Sequence, residues 1–219
     1  MDSIFQKFQT YDFMGVWAPG AIFCAYCNFS FYSKLQFLFR FGTWSYILLY
    51  IAIAYLLGVI FHEVGKFAMD VIKPFFDLDK YGFPEKLKLK SNKNSHWFLP
   101  RSFQYKYRKT LLDCDALPMV PFYKAYSELK YAKDVSLQRV NTYHSVYALS
   151  RGILIGIVAH IFLSFILHPA NYIYYILVDT FLVYVFFCRT VRYFISWVMN
   201  VFIQYKILSN KGIKNESIS

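Results

Sequence analysis

Polar and apolar positions along this chain fall into long, unequal blocks. Between Arg40 and His62 stand 21 residues without a charge, FGTWSYILLYIAIAYLLGVIF. A helix rising about 1.5 Å per residue needs about 20 such residues to cross a hydrocarbon core of about 30 Å. The block therefore predicts a transmembrane helix. Directly after it, Val64, Phe67, Ala68, Val71 and Ile72 recur at helical spacing. The helix is expected to run over 43–72 and leave the membrane as an amphipathic rod, stopping at Pro74, which lacks a backbone donor. Gly58 and Gly65 share one face of it and would let another helix approach closely.

Two further apolar blocks follow, Gly152–Leu167 of 16 residues and Tyr172–Cys188 of 17. These lengths suit either a short span or a buried core helix. The first lies in a helical pattern over 136–168, capped by Asp134 or Ser136 and stopped by Pro169. The second continues as an amphipathic helix toward residue 208, entered through Arg189 and Arg192. PFYKAYSELKYAKD reads as a short amphipathic helix. One span and two segments of borderline length are the expectation.

The remainder divides by character. Residues 1–40 form an aromatic-rich, mostly uncharged segment with an interfacial or amphipathic reading. In it Asp12 could cap a short helix that Pro19-Gly20 would break, and Ala21–Phe31 reads as interfacial or re-entrant. No cleavable signal peptide is expected, since a basic n-region and an A-x-A site are missing. Residues 41–73 hold the transmembrane helix and its extension. Residues 74–219 hold a basic connector and a helical region with apolar helices 136–168 and 172–206. The connector, 74–118, has four prolines, and its KLKLK suits a strand edge, an extended basic loop or a solvated surface.

Composition supports an all-α integral membrane protein. Hydrophobic residues make up 57% and aromatics 22%, and the 24 Tyr and Trp suit membrane–water interfaces. The formal net charge of +11 is unevenly spread, with 15 of the 24 Lys and Arg in residues 62–147. The HPAN hairpin at 168–171 has none. The positive-inside rule then makes 62–147 cytoplasmic. Such charge is compatible with RNA, and an anionic inner leaflet accounts for it equally.

Candidate chemistry is sparse. Cys24 and Cys27 form a lone CxxC without a second pair or a nearby His pair, so the reading for these, Cys114 and Cys188 is small hydrophobes rather than zinc ligands or disulfides. His62-Glu63 is not HExxH, because Lys66 stands where the second His belongs. No metal, cofactor or convincing active site is implied. Arg139 and His144 have an R-x4-H spacing. In HEPN-type ribonucleases such a His moves a proton from the attacking 2′-hydroxyl while the Arg steadies the phosphorane. The alternative is a pair that packs at a subunit seam. Arg151 falls seven residues beyond His144 on the same face, either reaching toward the interface or joining a polar network with His144. His160 and Asp179 stand inside the apolar helices, where an ionisable group needs a partner or water. Each lies near the middle of its helix, so the two can pair across the hairpin, as one buried hydrogen bond or as seam, lumen or proton-path positions.

Four landmarks, YDFMGVWAPGAIF, AYLLGVIFHEVGKF, YHSVYALSRGILIG and VFFCRTVRYFISWV, together with the Arg139/His144 spacing, give a layout that resembles the membrane accessory proteins of type VI-B CRISPR systems. The resemblance implies a divergent HEPN-like helical bundle assembled as a homo-oligomeric ring in the bacterial inner membrane. It implies a pore that depolarises the membrane beside an RNA-guided, RNA-targeting nuclease, with Arg139 and His144 required but not catalytic. Two other functions fit the residues: a membrane-tethered HEPN ribonuclease using Arg139 and His144, and a non-enzymatic anchor that recruits a soluble effector. Whether the basic region meets RNA, lipid or protein is open at this level.

Overall fold

The long apolar blocks all become helix. A computed structural model describes residues 12–31, 44–75, 122–131, 137–167 and 172–216. Among them there is no strand. A π-helical stretch, Phe13–Trp17, leads into α1 (Ala18–Ser30); α2 is Trp44–Phe75, α3 is Phe122–Tyr131, α4 is Gln138–Leu167 and α5 is Tyr172–Glu216. Three helices are long and apolar enough to cross a membrane, over Ile47–Ile72 in α2, Gln138–Leu167 in α4 and Tyr172–Ser209 in α5. The two blocks of borderline length thus belong to helices longer than their charge-free cores.

Punctuation differs from expectation near the N-terminus. Pro19-Gly20 does not break a helix: Pro19 sits in the first turn of α1, where its missing N–H costs no intrahelical bond. Asp12 is already in the right-handed helical region and makes no side-chain cap bond. Helix α2 runs through Pro74 to Phe75 instead of stopping before it. The caps expected at Asp134 and Ser136, Pro169 as a stop, Cys114 and the connector from residue 76 onward lie outside the described residues.

The chain divides into two compact units. The first comprises residues 1–68 and 144–193. Within it α2 buries Ala54, Gly58, Phe61, His62 and Gly65, a stripe at helical spacing. The rest of that helix exposes large apolar side chains, including Leu48, Tyr55, Leu56, Ile60 and Phe67. Phe162, Ile166, Ile173, Leu177 and Phe181 do the same on α4 and α5. So large an exposed apolar surface is costly in water and suits lipid. Helix α4 is the interior one: 44% of its apolar window is buried, against 22% in α2 and 11% in α5.

The second unit comprises residues 69–143 and 194–219. It carries 17 of the 24 Lys and Arg. Here α3 is amphipathic, burying Phe122, Ala125 and Leu129 while Tyr123 and Tyr131 stand exposed. Phe122 meets Trp197 edge-on at 5.0 Å, and Tyr126 meets the same indole at 5.7 Å.

Candidate functional site

The first unit holds its polar groups in two layers, and the N-terminal helix reaches both. What lets α1 in is a pair of glycines. A Cβ on Gly20 would overlap the Ala54 carbonyl oxygen of α2, and one on Gly58 would overlap the Val16 carbonyl oxygen. The close approach expected at Gly58 is therefore real, and this chain's own N-terminal segment fills it. On the other side Pro19 lies against Gly152 of α4, where a Cβ would come within 2.7 Å of the proline ring.

The first polar layer is centred on Arg151 of α4, which is 5% exposed. Its Nη2 donates to Nδ1 of His62 on α2 across 3.3 Å. A guanidinium has only donors, so Nδ1 accepts and the proton of the neutral ring belongs on Nε2. The same imidazole hydrogen-bonds the backbone of Gly15. That bond has a local cause: Pro19, four residues on, has no N–H to offer the Gly15 carbonyl. The Arg151 guanidinium also lies over the Tyr147 ring at 5.0 Å, and its stem is pressed against Gly65. Close by, exposed Arg189 of α5 donates its Nε–H to Ser150 Oγ across 3.2 Å.

The second layer is built on His160 and Asp179, both fully buried. His160 Nδ1 and Asp179 Oδ2 are 2.6 Å apart, so the pairing across the hairpin is present. The other carboxylate oxygen, Oδ1, accepts the Tyr26 hydroxyl at 2.9 Å. Tyr26 also stacks on the imidazole at 4.2 Å, with Phe31 at 5.1 Å and Tyr175 edge-on at 6.2 Å. Three buried polar atoms here make no hydrogen bond: His160 Nε2, Ser164 Oγ and Ser30 Oγ. Ser164 is one turn along α4 from His160, and Ser30 precedes Phe31.

Aromatic rings fill the level between the layers. Phe23 and Phe61 meet edge-to-face at 4.9 Å, and both pack against Gly156 of α4. From His160 back to Arg151 is nine residues of helix, about 13 Å. An apolar plug thus separates a buried acid–base pair from a buried cation.

The Arg139/His144 pair is not drawn together. Arg139 is exposed and His144 half-buried, and five residues of helix set their directions about 140° apart. Arg151 hydrogen-bonds His62, and His144, to which the spacing pointed, lies within electrostatic reach of both. Cys24 and Cys27 are buried free thiols, and burial raises them to about 11 and about 12. No group of three or more His, Cys, Asp or Glu among the described residues could hold a metal ion. Glu63 pairs with Lys66 at 2.7 Å on the surface.

Tyr26, His62 and Gly15 were absent from the sequence-level site. His62 could have been found as the polar residue that ends the charge-free run. Nothing in the sequence singles out Tyr26 among 20 tyrosines.

Among the described residues the fold is all-helical, with three helices long and apolar enough to cross a membrane and an ionisable core. No protein-family model matches the chain, and neither does any curated protein or solved structure.

Proposed function

We propose that this chain is a membrane-permeabilising effector rather than an enzyme. In this reading, drawn from the resemblance to type VI-B CRISPR membrane accessory proteins, it forms a homo-oligomeric pore in the bacterial inner membrane. It depolarises the cell in antiphage defence, beside an RNA-guided, RNA-targeting nuclease, with residues 62–147 on the cytoplasmic side. The observation that carries the reading is the His160–Asp179–Tyr26 cluster, fully ionisable and deep within an apolar helical unit. Such groups are expensive in a bilayer and mark ion or proton paths more often than anchors. Arg151 adds a buried cation that no carboxylate among the described residues hydrogen-bonds. A plain anchor needs neither.

The test is a membrane-potential dye in cells expressing the chain with its triggering system, alongside purified protein in planar bilayers. Wild type should depolarise the cells and conduct, and Asp179→Asn should reduce both. A folded, purified protein that conducts nothing in bilayers would sink the reading.

A further inference from the structure

We infer that the ion this protein passes is the proton, and that His160 Nε2 is its binding site, loaded from the hairpin end of the first unit. The inference rests on the permeability reading above and adds the identity of the permeant. It begins with hydrogen-bond roles. The Tyr26 hydroxyl donates to Asp179 Oδ1, and Asp179 Oδ2 faces His160 Nδ1 at 2.6 Å. With Asp179 as carboxylate, both oxygens accept, so Nδ1 carries a proton and donates it. Nε2 of the neutral ring is then a bare lone pair, buried and without a partner. Leaving a buried polar atom unpaired is costly in an apolar interior, which makes such an atom a candidate for a role.

The surroundings supply a way in. A cavity of about 850 Å³ opens beside Phe29, Tyr172, Ile173, Tyr174 and Tyr175. Tyr175 is shared: it lines this cavity and sets its ring edge-on to His160 at 6.2 Å. Ser164 stands one turn from His160 toward the hairpin, with its buried hydroxyl unpartnered, and Ser30 offers a second such hydroxyl next to Phe31. A hydroxyl can accept one proton and release another, so both are suited to relay between the cavity and Nε2.

Among the described residues, Tyr26 from α1 and Tyr175 and Asp179 from α5 face the imidazole, Cys27 lies within electrostatic reach of Asp179, and Ser164 is one turn along on α4. On α2, the Tyr50 hydroxyl is engaged by the Ala21 carbonyl. No fixed cation is among these groups. Arg151, about 13 Å away beyond the Phe23–Phe61 plug, opposes passage of a hydrated metal cation.

The transfer balances without any oxidant or second reactant. A hydronium gives one proton to Nε2 and becomes water, and the imidazole becomes imidazolium. The Asp179 carboxylate, still accepting from Nδ1–H, balances that charge. Nε2 then hands the same proton to a water or hydroxyl on the exit side, and the ring is back in its starting tautomer. One proton enters and one leaves.

The experiment uses the full chain in proteoliposomes, with an internal pH dye under valinomycin clamp and parallel potassium and chloride flux assays. Wild type should pass protons while potassium and chloride stay near the level of empty vesicles. His160→Gln should lower proton flux at least about tenfold, since an amide cannot carry a proton through this cycle. Tyr175→Ala should raise proton flux by opening the cavity toward the ring. Circular dichroism and gel filtration establish that each variant is folded. If His160→Gln does not fold, Tyr175→Ala decides, and unchanged proton flux in it overturns the inference. Wild-type passage of potassium as readily as protons overturns the inference while leaving permeabilisation intact. A folded wild type that passes no ion overturns both.

Discussion

The carboxylate of Asp179 on α5 is shared between two helices, taking His160 of α4 at 2.6 Å on Oδ2 and Tyr26 of α1 at 2.9 Å on Oδ1. It ties the N-terminal helix to the C-terminal hairpin. Removing one member of a buried ionisable pair leaves the other uncompensated and costs about 3–5 kcal/mol. Asp179→Ala is therefore expected to destabilise the protein by about that amount, read by denaturation of purified protein in mixed micelles. The double variant His160→Phe/Asp179→Leu should be more stable than Asp179→Ala alone, because the buried imidazole is no longer orphaned and only the half-buried Tyr26 hydroxyl loses its acceptor. A double variant that loses the sum of both single losses would show that the two residues act separately.

A second expectation concerns Gly20 and Gly58. An added methyl at either overlaps a backbone carbonyl oxygen, which cannot move without shifting a helix. Gly20→Ala and Gly58→Ala should each cost at least about 1–3 kcal/mol, the range for overpacked sites. Gly156→Ala is the control. Its nearest neighbours are the rings of Phe61 and Phe23 at 3.4–3.5 Å, which can yield. Thermal unfolding of the three variants should rank Gly156→Ala as much the mildest, and equal losses would contradict the crossing geometry.

The membrane helices and the His160–Asp179 pair were legible because both are local. A charge-free run sets a span, and two ionisable residues, each seven places from the facing ends of consecutive helices, have little choice of partner. Tyr26 was not legible, since α1 reaches the pair only by packing through Gly20, Gly58 and Gly152. The same holds for Arg151. Spacing along α4 pointed to His144, which does lie within electrostatic reach, but α2 also brings His62 to hydrogen-bonding distance, and periodicity does not tell which helix will lie alongside. For the same reason Gly58 could be recognised as a close-packing position without revealing that the chain's own N-terminal segment occupies it.

The thiols of α1 should show the effect of burial in their reactivity. Burial raises Cys24 to about 11 and Cys27 to about 12, above the ordinary thiol range. The thiolate is the nucleophile, so at pH 8 only about one part in a thousand of Cys24 is reactive. In a variant with Cys114→Ser and Cys188→Ser, maleimide labelling of native protein should be slow. Its rate should climb about tenfold per pH unit from 8 to 10, without levelling near 9 as an exposed thiol would. Denaturant should abolish that lag. Rapid labelling of native protein at pH 7 would place these cysteines at an open surface.

Orientation is testable independently of conduction. With 15 Lys and Arg in residues 62–147 and none in the 168–171 hairpin, the proposed topology puts the C-terminus in the cytoplasm and the hairpin outside. A fluorescent protein at the C-terminus should fluoresce, and alkaline phosphatase inserted between His168 and Asn171 should be active. The reverse pair of results would invert the topology.

The last expectation separates the pore from the ribonuclease. Arg139 is exposed while His144 is half-buried, and about 140° of helix lies between their directions. A single chain therefore does not aim both at one phosphodiester, and catalysis would need a partner copy to complete the constellation. Purified full-length protein, in the oligomeric state it adopts, is expected to leave structured and single-stranded RNA intact. Arg139→Ala should leave thermal unfolding unchanged, because an exposed side chain carries little of the packing. If Arg139→Ala and His144→Ala both lose protection against phage while wild type cuts no RNA, the pair serves assembly or partner contact. RNA cleavage by wild type that both variants abolish would instead make this chain a membrane-bound nuclease, with the buried His160–Asp179–Tyr26 cluster reduced to a structural clasp.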